Sequence, residues 1–201
     1  LIIQSDFDLS EVGVHSIRLP PDRRPDLAIK RSDRYKFAAK FQDNETSVHR
    51  AYGFYYRRGI ALFEVHNGEE MLVSCHPRIE NKDLTRVLLN YPIACVMYQR
   101  GFFALHASAV HYAEKVMLFC GVSLAGKSSV TAKLLKSGAQ MITEDTAVMF
   151  FKDSSVRIVP SFPLLKLSDE VRKYTEFSNE IGIQFNTEKT DRKGHILTSE
   201  R

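Results

Sequence analysis

Residues 121–128 have the spacing of a phosphate-binding loop, G-x-x-x-x-G-K-[S/T]. Glycine at both fixed positions lets the backbone turn sharply, so that successive N–H groups can point inward toward an anion. Lys127 can reach the β- and γ-phosphates of a nucleoside triphosphate as a point charge, and the Ser128 hydroxyl can ligate Mg²⁺. The motif therefore predicts binding of a nucleoside triphosphate, taken here as ATP with Mg²⁺.

The residues around the loop support this interpretation. A short apolar segment, Lys115–Cys120, runs into it, and an amphipathic segment, residues 128–136, follows it. Because a strand–loop–helix order is what a phosphate site of this kind requires, a glycine-rich turn that binds nothing is disfavoured. The cofactor-binding residues predicted from the loop are Gly121, Val122, Ser123, Leu124, Ala125, Gly126, Lys127, Ser128 and Ser129.

Two adjacent acids follow the loop after one predicted helix and one short strand. Phosphoryl transfer needs a carboxylate that organises the metal, usually at the end of a neighbouring strand, and Glu144 and Asp145 supply it. Neighbouring side chains on extended backbone point to opposite sides. One acid can therefore hold Mg²⁺ with Ser128 while the other faces an acceptor hydroxyl as a base. The alternative is a solvated acidic turn, and the two roles stay unassigned between the acids.

The bulk composition favours a globular protein that handles anionic ligands. The chain has 201 residues, 44% of them apolar and 26% charged, with a formal charge of +4. Lys and Arg are spread along the sequence, so nucleic acid is not the expected partner. The three cysteines match no metal motif and are expected to be reduced, buried thiols. With no apolar run long enough to cross a bilayer, a cytoplasmic protein without a membrane partner is expected, and a homo-oligomer stays open.

The first 80 residues are predicted to be rich in β-structure. Strands are expected over residues 36–41 and 48–56, after a loop over residues 19–34. A hairpin is expected around Asn67 and Gly68, because both residues tolerate positive φ.

The rest of the chain is predicted to alternate strands and helices. Asn81 is expected to cap a helix that Pro92 interrupts and Gly101 ends. The later strands are expected over residues 102–105, 107–112, 115–120, 140–143, 146–151 and 156–159, and the later helices over residues 128–136 and 168–174. These patterns predict an α/β fold with an accessory, substrate-docking region over residues 1–80 and a catalytic region over residues 81–201.

One stretch carries a family resemblance. Residues 98–110, Y-Q-R-G-F-F-A-L-H-A-S-A-V, lead by a short hairpin into the phosphate loop, and G-A-Q-M-I-T-E-D follows over residues 138–145. With the later segment 160–167, this order resembles the HPr serine kinase-related family, in particular the small stand-alone kinases encoded with lasso-peptide clusters. The resemblance covers roughly residues 84–175. It implies a catalytic core like that of phosphoenolpyruvate carboxykinases and phosphoryl transfer to serine.

The resemblance also assigns residues by position. The family's phosphate- and magnesium-binding positions fall on Gly121, Gly126, Lys127 and Ser128. Its acidic pair, usually Asp-Asp, falls on Glu144 and Asp145, and its upstream histidine falls on His106, near the acceptor site. The catalytic residues implied in this way are His106, Lys127, Glu144 and Asp145.

The expected activity is therefore transfer of the γ-phosphoryl group of ATP, with Mg²⁺, to a serine hydroxyl of a peptide or small protein, such as a ribosomally made precursor peptide. HPr itself is a weaker substrate candidate, because the sequence lacks the downstream Arg-Gly signature of true HPr kinases. An HPr kinase/phosphorylase, a small-molecule kinase and a nucleotide-sensing regulatory module stay open as alternatives.

Overall fold

The computed structural model of the chain describes residues 3–9, 24–122, 124–160, 164–168, 171, 173, 181–184 and 192–196. The chain divides into two compact units, Leu1–Phe103 and Ala104–Arg201. Several sheets and few helices make the fold mixed α/β, which confirms the predicted class. The predicted functional division, a docking region over residues 1–80 and a catalytic region over residues 81–201, is not the same as this structural division and stays a prediction.

The first unit is built on a six-stranded sheet with the spatial order β1-β2-β6-β5-β4-β3. Its strands are β1 (Ile3–Ser5), β2 (Leu27–Arg31), β3 (Thr46–Val48), β4 (Tyr52–Arg57), β5 (Ala61–His66) and β6 (Glu70–Cys75). The pairs β1–β2 and β2–β6 are parallel, and the other three pairs are antiparallel. The helices of this unit are a 3-10 helix (Arg34–Lys40), α1 (Asn81–Leu88) and α2 (Tyr91–Gln99).

The predicted hairpin around residues 67 and 68 is confirmed. Asn67 and Gly68 have φ of 52° and 66°, the conformation that a two-residue turn needs to match the twist of its strands. The end of α2 holds this turn, because the Gly68 N–H donates to Gln99 Oε1 at 2.6 Å and Arg100 Nε donates to the Gly68 carbonyl at 2.7 Å.

The strand predicted over residues 36–41 is wrong, since the 3-10 helix occupies most of this segment. Tyr35, Ala38 and Phe41 recur every third residue, which is the period of a 3-10 helix, and they pack on Tyr56 and Leu62 of the sheet. Phe41, one of the aromatic residues that suggested a strand, therefore belongs to the face of this segment that packs on the sheet.

Two other expectations in the first unit change. The loop predicted over residues 19–34 contains β2, whose Leu27 and Ile29 are buried; residues 19–23 lie outside the described part of the chain. Helix α1 takes Glu80 as its N-cap, while the amide of Asn81 donates to the backbone carbonyl of Asp8.

The second unit contains helix α3 (Lys127–Lys136) and small three-stranded sheets with the orders β10-β8-β9, β12-β11-β7 and β13-β15-β14. The strands are β7 (Phe103–Leu105), β8 (Ala107–Tyr112), β9 (Lys115–Cys120), β10 (Gln140–Thr143), β11 (Ala147–Lys152), β12 (Ser155–Val159), β13 (Leu164–Ser168), β14 (Ile181–Gln184) and β15 (Arg192–Ile196). The predictions for β7 to β12 and α3 are confirmed to within one residue at each end.

The helix predicted over residues 168–174 is wrong at Ser168, which is the last residue of β13. Val171 and Lys173 are helical, and residues 169, 170, 172 and 174 lie outside the described part of the chain. Ala132 of α3 packs against Leu165 and Leu167 of β13, which is the core beneath the helix.

All three cysteines are free thiols, as predicted, but their burial differs. Cys95 is buried and Cys75 is half-buried, and burial raises the pKa of both thiols. Cys120 is exposed at the end of β9, so the expectation that all three are buried is wrong there. Across the described ranges, no helix combines the length and apolarity needed to cross a membrane.

The contact between the hairpin turn and α2 can be tested with two alanine substitutions. Gly59 has φ of 72° and open space around a new Cβ, so Gly59→Ala should cost only the left-handed backbone, about 1 kcal/mol. At Gly68 a Cβ would also meet Arg100 Cγ at 2.9 Å and the Val96 carbonyl oxygen at 3.1 Å. Gly68→Ala should therefore lower the free energy of unfolding by at least about 1 kcal/mol more in urea titrations. Equal losses would contradict this packing.

Candidate functional site

The phosphate loop joins β9 directly to the first turn of α3. Gly126 is the N-cap of α3 and has φ of 89°, a left-handed conformation that suits glycine. At Gly121 a Cβ would lie 3.1 Å from the Cβ of Ala125, so the loop closes tightly on itself there. The conformation of the backbone therefore favours glycine at position 126, and the close approach of Ala125 favours it at position 121. The N-terminus of α3 directs its free N–H groups toward the same place.

The Lys127 side chain folds back over the start of the loop. Its ammonium donates to the backbone carbonyls of Gly121 and Val122, at 3.0 and 3.2 Å. These acceptors are neutral, whereas a phosphate oxygen is charged and forms a stronger bond with an ammonium group. A phosphate in the loop can therefore replace the two carbonyls as the hydrogen-bond partner of Lys127. The ammonium group already lies beside the loop, so only a small movement of the side chain is needed.

The register of the β10-β8-β9 sheet decides which residues meet beside this loop. Strand β8 is antiparallel to both neighbours, pairing Ala107 with Cys120 of β9 and Ala109 with Thr143 of β10. The start of β8, the end of β9 and the end of β10 therefore lie at one end of the sheet. At this end the chain leaves β9 into the phosphate loop and leaves β10 into the acidic pair, and it enters β8 from His106.

The acidic pair lies in a tight, strained turn. The Thr146 N–H donates to the Glu144 carbonyl at 2.8 Å, and Asp145 between them has φ of 65°. Positive φ at a residue other than glycine costs on the order of 1–3 kcal/mol and persists only where surrounding contacts hold it. Here the Thr143 hydroxyl donates to the Thr146 carbonyl at 2.8 Å. This hydrogen bond spans residues 143–146 and so encloses the tighter turn at Asp145.

This turn replaces the extended backbone from which the split of the two acids was predicted, so that premise is wrong at Asp145. Burial separates the acids instead. Glu144 is buried, with 8% of its surface exposed, and Asp145 is half-buried. The two carboxylates therefore differ in how easily a ligand from solvent can reach them.

His106 contacts the acidic turn directly. Its Nδ1 lies 2.8 Å from the Asp145 carbonyl oxygen, and because a carbonyl only accepts, Nδ1 carries the proton and donates. The neutral ring then has its lone pair on Nε2. His106 is exposed, so Nε2 belongs to a side chain that faces solvent. The contact links two residues that are 39 positions apart in the sequence.

The remaining predicted residues lie along the loop and the first turn of α3. Ser128 and Ser129 are half-buried in α3, and Val122, Leu124 and Ala125 are exposed. Ser123 lies outside the described part of the chain.

These groups fit a magnesium–nucleotide complex in chemical type. Mg²⁺ prefers hydroxyl and carboxylate oxygens together with substrate phosphates, and Ser128, Glu144 and Asp145 offer such oxygens. The loop N–H groups and the Lys127 ammonium match the phosphates.

Two features of the site could not be found from the sequence. A threonine before two acids has no signal of its own, so the role of Thr143 in closing the turn was missed. Leu124 has φ of 69°, and a leucine in the left-handed region is not expected from residue type.

Comparisons of the chain with family models, with curated proteins and with solved structures returned no match.

The contact between His106 and Asp145 predicts a tautomer that can be measured. Long-range ¹H–¹⁵N spectra at a pH where the ring is neutral should show His106 protonated at Nδ1. Asp145→Gly should leave the tautomer unchanged, because glycine keeps the carbonyl and adopts positive φ readily. A ring protonated at Nε2 in the unsubstituted protein would contradict the hydrogen bond.

Proposed function

We propose that the chain is a kinase that transfers the γ-phosphoryl group of ATP, with Mg²⁺, to a serine hydroxyl of a peptide or small protein. The observation that carries the proposal is the shared end of the β10-β8-β9 sheet, where the phosphate loop follows β9, the acidic pair follows β10 and His106 precedes β8. A loop that only bound a nucleotide would need no exposed histidine held against an acidic turn. The proposal includes an HPr kinase-like core, as the resemblance implies, and a cytoplasmic location.

In this proposal the phosphates lie in the loop. The N–H groups of the loop and of the first turn of α3 donate to the phosphate oxygens, and Lys127 moves from the Gly121 and Val122 carbonyls to the β- and γ-phosphates. Mg²⁺, held by Ser128 and one acid, would neutralise charge that develops between these two phosphates.

The two acids take different roles because their burial differs. We assign the acceptor side to Asp145, which is half-buried, and the metal side to Glu144, which is buried. The serine oxygen forms a bond to the γ-phosphorus while the bond from that phosphorus to the leaving oxygen of ADP breaks, and the serine proton passes to the Asp145 carboxylate. His106 donates from Nδ1 to the Asp145 backbone carbonyl. This hydrogen bond fixes the position of the backbone from which the Asp145 side chain extends.

Residues 1–80 are the proposed docking region for the acceptor peptide. Their sheet ends in two strands of three residues each, β1 and β3. An extended peptide can add to such an edge through backbone hydrogen bonds. The acceptor proposed here is a precursor peptide that contains a serine.

Phosphate transfer from γ-labelled ATP with Mg²⁺ tests the proposal, with a serine-containing precursor peptide and HPr as parallel acceptors. We expect label on the peptide, and a loss of at least about 100-fold in Lys127→Ala, because the charge on the transferred group is then unpaired. Asp145→Asn should lose transfer while ATP binding is retained, and Lys133→Ala, at an exposed position of α3, is the matched lysine control. ATP binding without label on either acceptor would contradict a peptide kinase.

A further inference from the structure

The strand that leads into the acidic pair contains a β-bulge. Met141 of β10 pairs with Val110 of β8. Thr143, two residues further along β10, pairs with Ala109, which is only one residue from Val110. Two residues of β10 therefore lie opposite one residue of β8. Because successive side chains of a strand alternate between its faces, the extra residue turns Thr143 to the face opposite to that of Met141.

The bulge brings the Thr143 hydroxyl to the backbone of the acidic turn. Thr143 is fully buried, and its hydroxyl donates to the Thr146 carbonyl at 2.8 Å. Between these two residues the Thr146 N–H donates to the Glu144 carbonyl, and Asp145 has φ of 65°. Because the pairing with β8 fixes the backbone of Thr143, this hydrogen bond ties the far end of the turn to the sheet. Bulges beside functional sites commonly reorient a side chain in this way.

A second hydrogen bond reaches the same turn from the neighbouring strand. The His106 ring, immediately before β8, lies 2.8 Å from the Asp145 carbonyl oxygen and donates to it. The turn is thus held from β10 through Thr143 and from the start of β8 through His106. Positive φ at a residue other than glycine persists only where such contacts hold it. Loss of the Thr143 hydrogen bond should therefore let the turn relax and move the Asp145 carbonyl away from His106.

We propose that Thr143 is a positioning residue for phosphoryl transfer, whose hydroxyl holds the turn in the conformation from which Glu144 and Asp145 act. The inference rests on the proposed function and adds a residue that is too deeply buried to contact ATP or the acceptor. A displacement of about 1 Å at a reacting group can lower a rate by about 100-fold. The hydroxyl should therefore affect kcat, whereas the affinity for ATP depends on the phosphate loop.

The test compares three substitutions. Thr143→Val removes the hydroxyl and keeps the branched shape, and Thr143→Ser keeps the hydroxyl. Thr131→Val is the matched control, because Thr131 of α3 is also fully buried, but its hydroxyl has no hydrogen-bond partner within the part of the chain that the structure describes. For each protein, kcat and the KM for ATP are measured with a serine-containing peptide at saturating Mg²⁺. The tautomer of His106 is measured without nucleotide by long-range ¹H–¹⁵N spectra.

We expect Thr143→Val to lower kcat at least about tenfold while the KM for ATP stays within about twofold. The fraction of His106 protonated at Nδ1 should fall in the same variant, because its acceptor carbonyl has moved. Thr143→Ser and Thr131→Val should resemble the unsubstituted protein in kcat, KM and tautomer. A residue that only stabilised the fold would leave kcat and the tautomer of the folded protein unchanged.

An unchanged kcat in Thr143→Val, or equal losses in Thr143→Val and Thr131→Val, would overturn the inference. So would a His106 tautomer that Thr143→Val leaves intact, or a loss of kcat that Thr143→Ser does not restore. Absence of transfer by the unsubstituted protein would contradict the proposed function instead. The tautomer comparison needs no acceptor and would then decide whether Thr143 positions the turn.

Discussion

The backbone hydrogen bonds that join β8 to β9 on one side and to β10 on the other decide which residues of the second unit can meet. Both pairings are antiparallel, so β9 and β10 run in the same direction and end at the same end of the sheet. A shift of one residue in either pairing would turn every side chain of that strand to the opposite face. Strand β8 is buried on both faces from Ala107 to Val110, so burial keeps the strand in the sheet while the backbone pairing sets which residues meet. The chemistry proposed for the site depends on this register more than on any single side chain.

Around that end of the sheet, local strain is offset by specific hydrogen bonds. Asp145 and Leu124 both have positive φ although neither is glycine. At Asp145 the strain is held by the His106 ring, which donates to the Asp145 carbonyl, and by the Thr143 hydroxyl, which donates to the Thr146 carbonyl. Such arrangements are typical of functional sites, where the position of a group matters more than the stability of its backbone. The histidine thus has a structural role here whatever its part in proton transfer.

The parts of the fold that the sequence predicts well are those with strong local signals. Strands β8, β9 and β10 and helix α3 follow from short apolar runs bounded by glycine or polar residues. The 3-10 helix does not, because aromatic residues such as Phe41 favour a strand by residue type, and the packing of every third residue on the sheet is a tertiary contact that the sequence does not show. The phosphate loop and the acidic pair are visible in the sequence, but the turn at Asp145 depends on contacts from residues 106 and 143, which no local pattern contains.

The proposed function requires that the phosphate loop and His106 belong to one nucleotide site. Paramagnetic broadening by Mn²⁺ bound with ATP measures this directly, because it falls steeply with distance from the metal. The ring protons of His106 should broaden strongly, and those of His111, five residues along β8 and about 16 Å away, should broaden far less. Binding of Mn²⁺–ATP that leaves His106 as sharp as His111 would contradict the account.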